Sequence, residues 1–403
     1  MSFCSPFLTP KWRRVQEFPS LIKPTLKTRR GSRRHSRRRA IVVIVLPSSS
    51  HTAQVTMSPS YASSTSFPSL LRELVAIPGL SGMEDAIASH MAQRWQPFAD
   101  AVWIDAIGNV IARFGEPSPN AIAVLAHIDT VGMLVRRHNP DGTLGVVAVG
   151  GINLKSLPGT PVRVGNAPGV IGVRSQHQAR GGDEAASADD LYIHTADARQ
   201  VEIATPVTYA AEPVAMGDLF ASPYLDNRAG CAALLAAAEH IQNPAQTVYL
   251  IGTVQEETNS AGAYPVLNAL RPACAVFVDG TVSYDTPESR GKGSVVLGGG
   301  PVLTAFLYIS GANGWHADPQ LRAHLKAVAT QQHIPYQQDA THGLMSDSKV
   351  ATWLGLPSAI IGIPMRGKHS QMEMLDLRDL TQTVELLTHA LHHPLPTLKR
   401  GSI

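Results

Sequence analysis

The sequence predicts an α/β fold: a mainly parallel sheet flanked by helices, with a small β-rich domain inserted into it. Three observations carry this expectation. The 403 residues are 44% hydrophobic and 16% charged, apolar enough for a large packed core and too sparsely charged for wholesale disorder. Ala121 to Ala126 is an unbroken apolar run of strand length, as a strand buried on both faces requires. Beyond Pro213, strand-like and helix-like segments alternate, the pattern of parallel strands joined by crossover helices.

The first 56 residues stand apart from that pattern. They hold twelve Lys or Arg against one acid, Glu17, whereas the remaining chain holds 22 bases against 30 acids. The run Arg29 to Arg39 suits nucleic acid, or the n-region of an export signal ahead of Ala40 to Leu46. A 39-residue n-region is far too long for such a signal, so residues 1–56 read as a basic, disordered extension or translated upstream sequence, with Met57 the working start. No aliphatic run, Ala40 to Leu46 included, exceeds seven residues. A membrane-spanning helix needs ~20, so no membrane association is expected. Three scattered cysteines, Cys4, Cys231 and Cys274, form no disulfide framework, and the expected setting is reducing and cytoplasmic.

From Met57 the elements follow in order. Leu70, Leu71, Leu74 and Val75 have helical spacing, and Pro78-Gly79 stops them. Ser81-Gly82-Met83-Glu84 reads as a capping box opening a helix with Ile87, Met91 and Trp95 on its apolar face. Strands are expected at 101–104, 109–114 and 121–126. The texture then changes to short β-like runs, 145–149, 160–164 and 169–173, interrupted by a polar tract, Gln176 to Asp190. Residues 136–213 are therefore expected to form an inserted β-rich domain, splitting a catalytic domain into 57–135 and 214–403. The second part predicts helix 229–241, strand 247–254, helix 261–270 and strands 274–278 and 302–309. Helices 319–332 and 346–354, strand 358–363 and helix 377–391 complete it.

Ligands of open α/β sheets bind beyond the carboxyl ends of the strands, and there the polar residues are concentrated. His127 and Asp129 follow the run 121–126, and Glu256 and Glu257 follow 248–254. Asp279 follows 275–278, His369 lies a loop beyond 359–363, and Asp226 precedes a helix. Singly, each has an ordinary structural reading: a core histidine, a turn residue, a helix cap, a solvated charge pair. Gathered at one sheet edge, the carboxylates would repel one another, and divalent metal resolves that conflict. Three carboxylates and two imidazoles, with one carboxylate shared, suit two ions in mixed N/O spheres. Two dications, three carboxylates and a bridging hydroxide sum to zero charge. Glu256 and Glu257 are adjacent, and successive strand side chains diverge. One can bind metal while the other acts as general base on metal-activated water. Asp129 is placed to fix the tautomer of His127 from behind.

Taken together and in order, a set of short motifs resembles the M42 metallo-aminopeptidases, also labelled glutamyl aminopeptidase or cellulase M. The motifs are Pro78-Gly79-Leu80-Ser81-Gly82, Asp105 with Gly108-Asn109, Ala126-His127-Ile128-Asp129 with Gly132, Gly150-Gly151, and Leu225-Asp226-Asn227-Arg228-Ala229-Gly230. Val254-Gln255-Glu256-Glu257, Val278-Asp279, Gly298-Gly299-Gly300-Pro301, Gly362-Ile363-Pro364 and Lys368-His369-Ser370 complete the set. The resemblance spans Leu70 to Leu391. It implies a zinc-exopeptidase-like fold with a barrel-like insertion used in dimerisation, and often assembly into larger shells. It further implies that His127, Asp226 and Asp279 hold one metal, that Asp226, Glu257 and His369 hold the other, and that Glu256 is the general base. Zinc or cobalt is the implied metal and an unblocked peptide the implied substrate. Two segments depart from the family pattern: Thr258-Asn259-Ser260-Ala261 after the Glu pair, and Met365-Arg366-Gly367-Lys368 before the last His. They leave side-chain preference open, while no metal-ligand position is lost.

The leading expectation is thus a dinuclear metal aminopeptidase acting on peptides as a homo-oligomer. A deacylase or amidase acting on N-acyl amino acids could use the same site. A glycosidase fits less well, since its carboxyl pair needs no metal. A non-enzymatic alternative, nucleic-acid binding through the basic arm, has no support in the acidic body.

Overall fold

The computed structural model describes residues 66–172, 188–309, 314–396 and 398. The chain divides into two units, Met1–Thr56 and Met57–Ile403, and all the described residues belong to the second. The basic arm lies outside the described residues, as does most of the polar tract Gln176 to Asp190.

Helices α1 (Phe67–Ala76) and α2 (Asp85–Trp95) lead into strands β1 (Ala101–Ile104), β2 (Val110–Phe114) and β3 (Ile122–His127). Six strands then close into a barrel: β4 (Gly132–His138), β5 (Leu144–Val149), β6 (Pro161–Val164), β7 (Ala167–Ile171), β8 (Tyr192–Thr195) and β9 (Pro206–Tyr209). Their order is β4-β5-β8-β7-β6-β9, with β9 pairing back onto β4. The barrel fills itself with Met133, Val135, Val146, Val162, Ile171, Ile193 and Val207, a core separate from that of the larger sheet. Closure leaves no open edge despite strands of only four to seven residues.

The chain returns through β10 (Val214–Met216), β11 (Leu219–Ser222), α3 (Leu225–Ala238), β12 (Val248–Thr253), α4 (Glu256–Asn259), α5 (Ala263–Leu270) and β13 (Cys274–Val282). It ends with β14 (Val302–Tyr308), β15 (Gly314–His316), α6 (Pro319–Gln331), β16 (Gln337–His342), α7 (Ser348–Trp353), β17 (Ser358–Met365), β18 (Glu373–Asp376) and α8 (Leu377–His392). Nine strands make the main sheet, ordered β1-β2-β12-β3-β13-β17-β14-β15, with β16 beside β14. The sheet is mixed and not, as expected, mainly parallel: parallel pairing runs through its centre and joins β14 to β16. At the centre β12, β3, β13 and β17 run parallel, whereas β2 pairs antiparallel with β12 and β14 antiparallel with β17. An apolar run reports burial on both faces, which a covered antiparallel strand satisfies equally well.

Strand periodicity sorts the core into two layers. Val124, Leu250, Val276 and Ile361 face the helices α1, α2, α3, α6 and α8, while Leu125, Ile251, Phe277 and Ile360 face α5 and α7. α3 is buried on every side, and its run of alanines lets it lie close against the sheet. The apolar side chains of α1 and α2, Leu70, Leu74, Ile87, Met91 and Trp95, fall in the same core as the sequence spacing requires.

Three local expectations are corrected. The helix after Ser81 starts at Asp85, and Glu84 is not a capping-box partner: its Oε1 accepts from the N–H of Gly82 and of Gln255, 2.7 and 3.1 Å away. The Ser81 N–H that a capping box would use donates instead to Thr130 O at 3.1 Å. β13 continues past Val278 to Val282, so Asp279 lies within the strand. The Glu pair does not end a strand but opens the one-turn helix α4, reached through Gln255 in the left-handed region at φ 57°.

The motif Asp105 with Gly108-Asn109 is architectural. Asp105 accepts from the N–H groups of Ile107, Gly108 and Asn109, and from the Asn109 side chain. Asn109, fully buried, accepts from Val254 N–H at 3.0 Å and donates to Gly262 O at 2.9 Å, pinning both ends of the segment that bears Glu256 and Glu257. Asn109→Ala strands both backbone groups in the core. We expect a loss of roughly 2–4 kcal/mol, read as a lower urea-unfolding midpoint; an unchanged midpoint would show the segment held by other contacts.

Candidate metal centre

The parallel centre of the sheet delivers its residues to one place. Thr253 pairs with His127, and Phe277 pairs with Leu125, so Asp279 and His127 lie side by side two residues further on. α3 brings Asp226 to the same end: Asp226 and Asn227 depart from helical geometry, with a cis peptide bond between them. The Asn227 side chain anchors this start, accepting from Gly230 N–H and donating to Val278 O. Gly230 is required there, because a Cβ would stand 2.3 Å from Asn227 Oδ1. His369 comes from the turn after β17, with φ 64°.

The structure brings together all seven residues singled out in the sequence. His127 Nε2 lies 3.4 Å from Asp226 Oδ1 and 3.8 Å from Asp279 Oδ1. His369 Nε2 lies 3.4 Å from both Asp226 Oδ2 and Glu257 Oε2. The two oxygens of Asp226 thus face opposite groups, His127/Asp226/Asp279 and Asp226/Glu257/His369. Ligand atoms about 2.1 Å from one tetrahedral ion stand about 3.4 Å apart, which is close to these separations. Asp226 Oδ1 and Glu257 Oε1 are buried with no hydrogen-bond partner among the described residues, a costly state for carboxylates that carry no cation. The donor set therefore fits divalent metal. A third possible group, His127 with Glu256 and Glu257, overlaps these two.

Asp129 has a wider role than steadying an imidazole. Its Oδ1 lies 3.3 Å from His127 Nδ1, and its two oxygens also accept from Glu256 N–H and Glu257 N–H, each at 3.0 Å. A carboxylate bound to both leading amides of α4 orients the Glu pair and is favoured by their dipoles. Gly150 supports the pair from the barrel side: at φ 77°, a Cβ there would stand 3.3 Å from Glu257 Cβ.

The ionisation states follow from this crowding. Burial pushes Glu257 well above the ordinary carboxylate range, with the charges of Asp226 and Glu256 adding to it. Burial likewise raises Glu256, and Asp279, Asp347 and Asp129 raise it further against the pull of His127. Burial opposes a charged His127, but its contacts with the Asp129 and Asp226 carboxylates outweigh that cost and hold the imidazole well above its usual value. A ligating imidazole must be neutral, so a metal ion held by His127 would displace its proton.

Three participants were not singled out by sequence. Glu373, buried beside the centre, accepts from Asp226 N–H at 2.7 Å and from His369 N–H at 2.6 Å. Burial, reinforced by Asp226, pushes it up to about 8. Its only sequence signal was its place four residues after His369. Asp347, pushed up to about 6 by burial, accepts from Thr253 Oγ1 at 2.6 Å and adds negative charge behind Glu256; in the sequence it falls within the expected helix 346–354. Lys368 lies 2.8 Å from Asp226 Oδ2 and donates to Gly280 O at 2.7 Å. In the sequence it closes the segment Met365-Arg366-Gly367-Lys368, which departs from the family pattern.

An α/β sheet with histidines and carboxylates gathered at its carboxyl edge, in two groups sharing one aspartate, defines the class of hydrolases built around a metal centre. The family pattern described as M42 glutamyl aminopeptidase matches residues 108–386, and the chain belongs to that family of peptidases. It is 34% identical over 343 residues to SgcX of Escherichia coli (strain K12), named provisionally as an aminopeptidase, covering 78% of this chain and 92% of that one. Among solved structures, the aminopeptidase APDkam598 of the archaeon Desulfurococcus kamchatkensis is similar at TM-score 0.75 and 27% identity, over 80% of this chain and 94% of that one. The TET1 peptidase of Pyrococcus horikoshii, described as able to assemble into a tetrahedron or a large octahedral shell, is similar at TM-score 0.72 and 26% identity, over 80% of this chain and 98% of that one. No helix among the described residues is long and apolar enough to cross a membrane.

Glu373→Ala releases the amides that hold Asp226 and His369 in place. Affinity for divalent metal is expected to fall about 10–100-fold, the usual cost of losing such support. Glu373→Gln, which keeps one acceptor oxygen, should fall between. Isothermal titration with Zn²⁺ checks this, and wild-type affinity in both variants would reduce Glu373 to a structural role.

Proposed function

We propose that the protein is a dinuclear metal aminopeptidase that releases N-terminal residues from unblocked peptides. One observation carries the reading: two three-donor groups share Asp226, at separations suited to ions of zinc or cobalt size. His127, Asp226 and Asp279 would hold one ion and Asp226, Glu257 and His369 the other, supplying Lewis acidity at the scissile carbonyl and at the attacking water. Glu256, close to both groups yet partly open to solvent, takes the water's proton and delivers it to the leaving amine. Burial raises its pKa, which makes it a stronger base than an exposed carboxylate. Asp129 holds Glu256 through its backbone N–H and His127 through Nδ1, so base and ligand share one support.

The deacylase alternative is separated by the substrate's amino terminus. A peptide with a free terminus should be cleaved and its N-acetylated counterpart should not. The reverse preference would move the reading to N-acyl amino acids. For assembly, we assign the barrel as the dimerisation domain of a homo-oligomer. Val147, Val170 and Ile203, on or beside its strands, are each at least 40% exposed, and the similar TET1 peptidase is described as forming shells.

Glu256→Gln removes the proton acceptor and keeps the shape. Both ions should stay bound while kcat falls by roughly 10² to 10⁴ with KM little changed. Glu257→Gln should lose metal and activity together. Metal analysis beside kinetics decides it, and metal loss in Glu256→Gln alone would exchange the roles of the two neighbours.

A further inference from the structure

The two halves of the proposed centre are unequal, and the inequality comes from one side chain. On the His127 side, Asp226 Oδ1 faces the His127 imidazole at 3.4 Å, itself a member of that three-donor group, and no other hydrogen-bond donor among the described residues. On the His369 side, Asp226 Oδ2 already faces a cation, the Lys368 ammonium at 2.8 Å. His369 Nε2 approaches the same oxygen at 3.4 Å. Lys368 has little freedom to leave, since its side chain is only 12% exposed and its Nζ also donates to Gly280 O. Gly280 belongs to β13, the strand that carries Asp279, so the ammonium is tied to the scaffold and not to a mobile loop alone.

We propose that Lys368 is a built-in competitor of the ion held by Asp226, Glu257 and His369. It makes that position a weak, exchangeable metal site beside the tight one of His127, Asp226 and Asp279. An ammonium and a divalent ion must share Asp226 Oδ2 at close range in a poorly solvated site, where like charges repel strongly. The His127-side ion uses the other oxygen and is spared most of that cost. Occupancy of the His369 side then follows the ambient metal concentration while the His127 side stays filled. The second ion, and any activity that needs it, becomes responsive to metal supply. This inference rests on the two-ion reading given above.

The test is a titration of metal-free, full-length protein with Co²⁺ alone, followed by calorimetry and by the visible ligand-field bands of the bound ion. Wild type should take up two ions in separate steps, the second at least tenfold weaker. Lys368→Met should tighten the second step at least tenfold and leave the first within threefold of wild type, while Lys368→Arg should keep the second step weak. If Lys368→Met does not fold, as judged by its thermal melt, Lys368→Gln is read by the same criteria. Two ions bound with the same constants in wild type and the neutral variant would overturn the role of Lys368 and leave the two-ion reading intact. Uptake that stops at one ion in both proteins would overturn the two-ion reading itself, and this inference with it.

Discussion

Seven carboxylates, Asp129, Asp226, Glu256, Glu257, Asp279, Asp347 and Glu373, meet at one end of a sheet whose interior is apolar. Coulomb repulsion between them is the cost around which the rest of the structure is arranged. Burial weakens water's screening, so several are pushed toward protonation: Glu256, Glu257, Asp279, Asp347 and Glu373 all have raised pKa values. Three devices offset the repulsion. Backbone N–H groups are aimed at Asp129 and Glu373, Lys368 lies against Asp226, and the His127 and His369 imidazoles separate the remaining acids.

The scaffold's contribution is to hold these groups against their own repulsion. The two-layered core fixes the register of β3, β12 and β13, and with it His127, the Glu pair and Asp279. Asn109 and Asn227, both buried, use side-chain amides to hold the segments bearing Glu256 and Asp226. Arg228 is buried as well, donating to the carbonyls of Ile128 and Ile77, and so joins the start of α3 to the end of β3 and the end of α1. Polar anchors with fixed geometry thus position the segments that bear the site.

The barrel takes part in this arrangement as well. Gly150, just after β5, comes close to Glu257, where a Cβ would stand 3.3 Å from Glu257 Cβ, and Gly151 lies beside the His369 ring. Tyr209 at the end of β9 stacks on Tyr224, which immediately precedes α3 and Asp226. A surface assigned to subunit contact is therefore built on an element that also touches the catalytic face.

Sequence by itself determined the fold class, the inserted β-rich segment, and the seven residues gathered at the sheet edge. Each of these follows from local pattern: two-sided burial shows as unbroken apolar runs, a change of domain shows as a change of texture, and the His, Asp and Glu residues sit where apolar runs end. Tertiary structure alone decided strand direction at the sheet margins, since a covered strand has the same composition whichever way it runs. It also decided that the Glu pair opens a helix and that Glu84 serves Gln255 across 171 residues. The supporting residues, Glu373, Asp347 and Lys368, were not distinguishable in the sequence. Their importance lies in which backbone amide or oxygen they reach, and those partners come from other strands and helices that only the folded chain brings together.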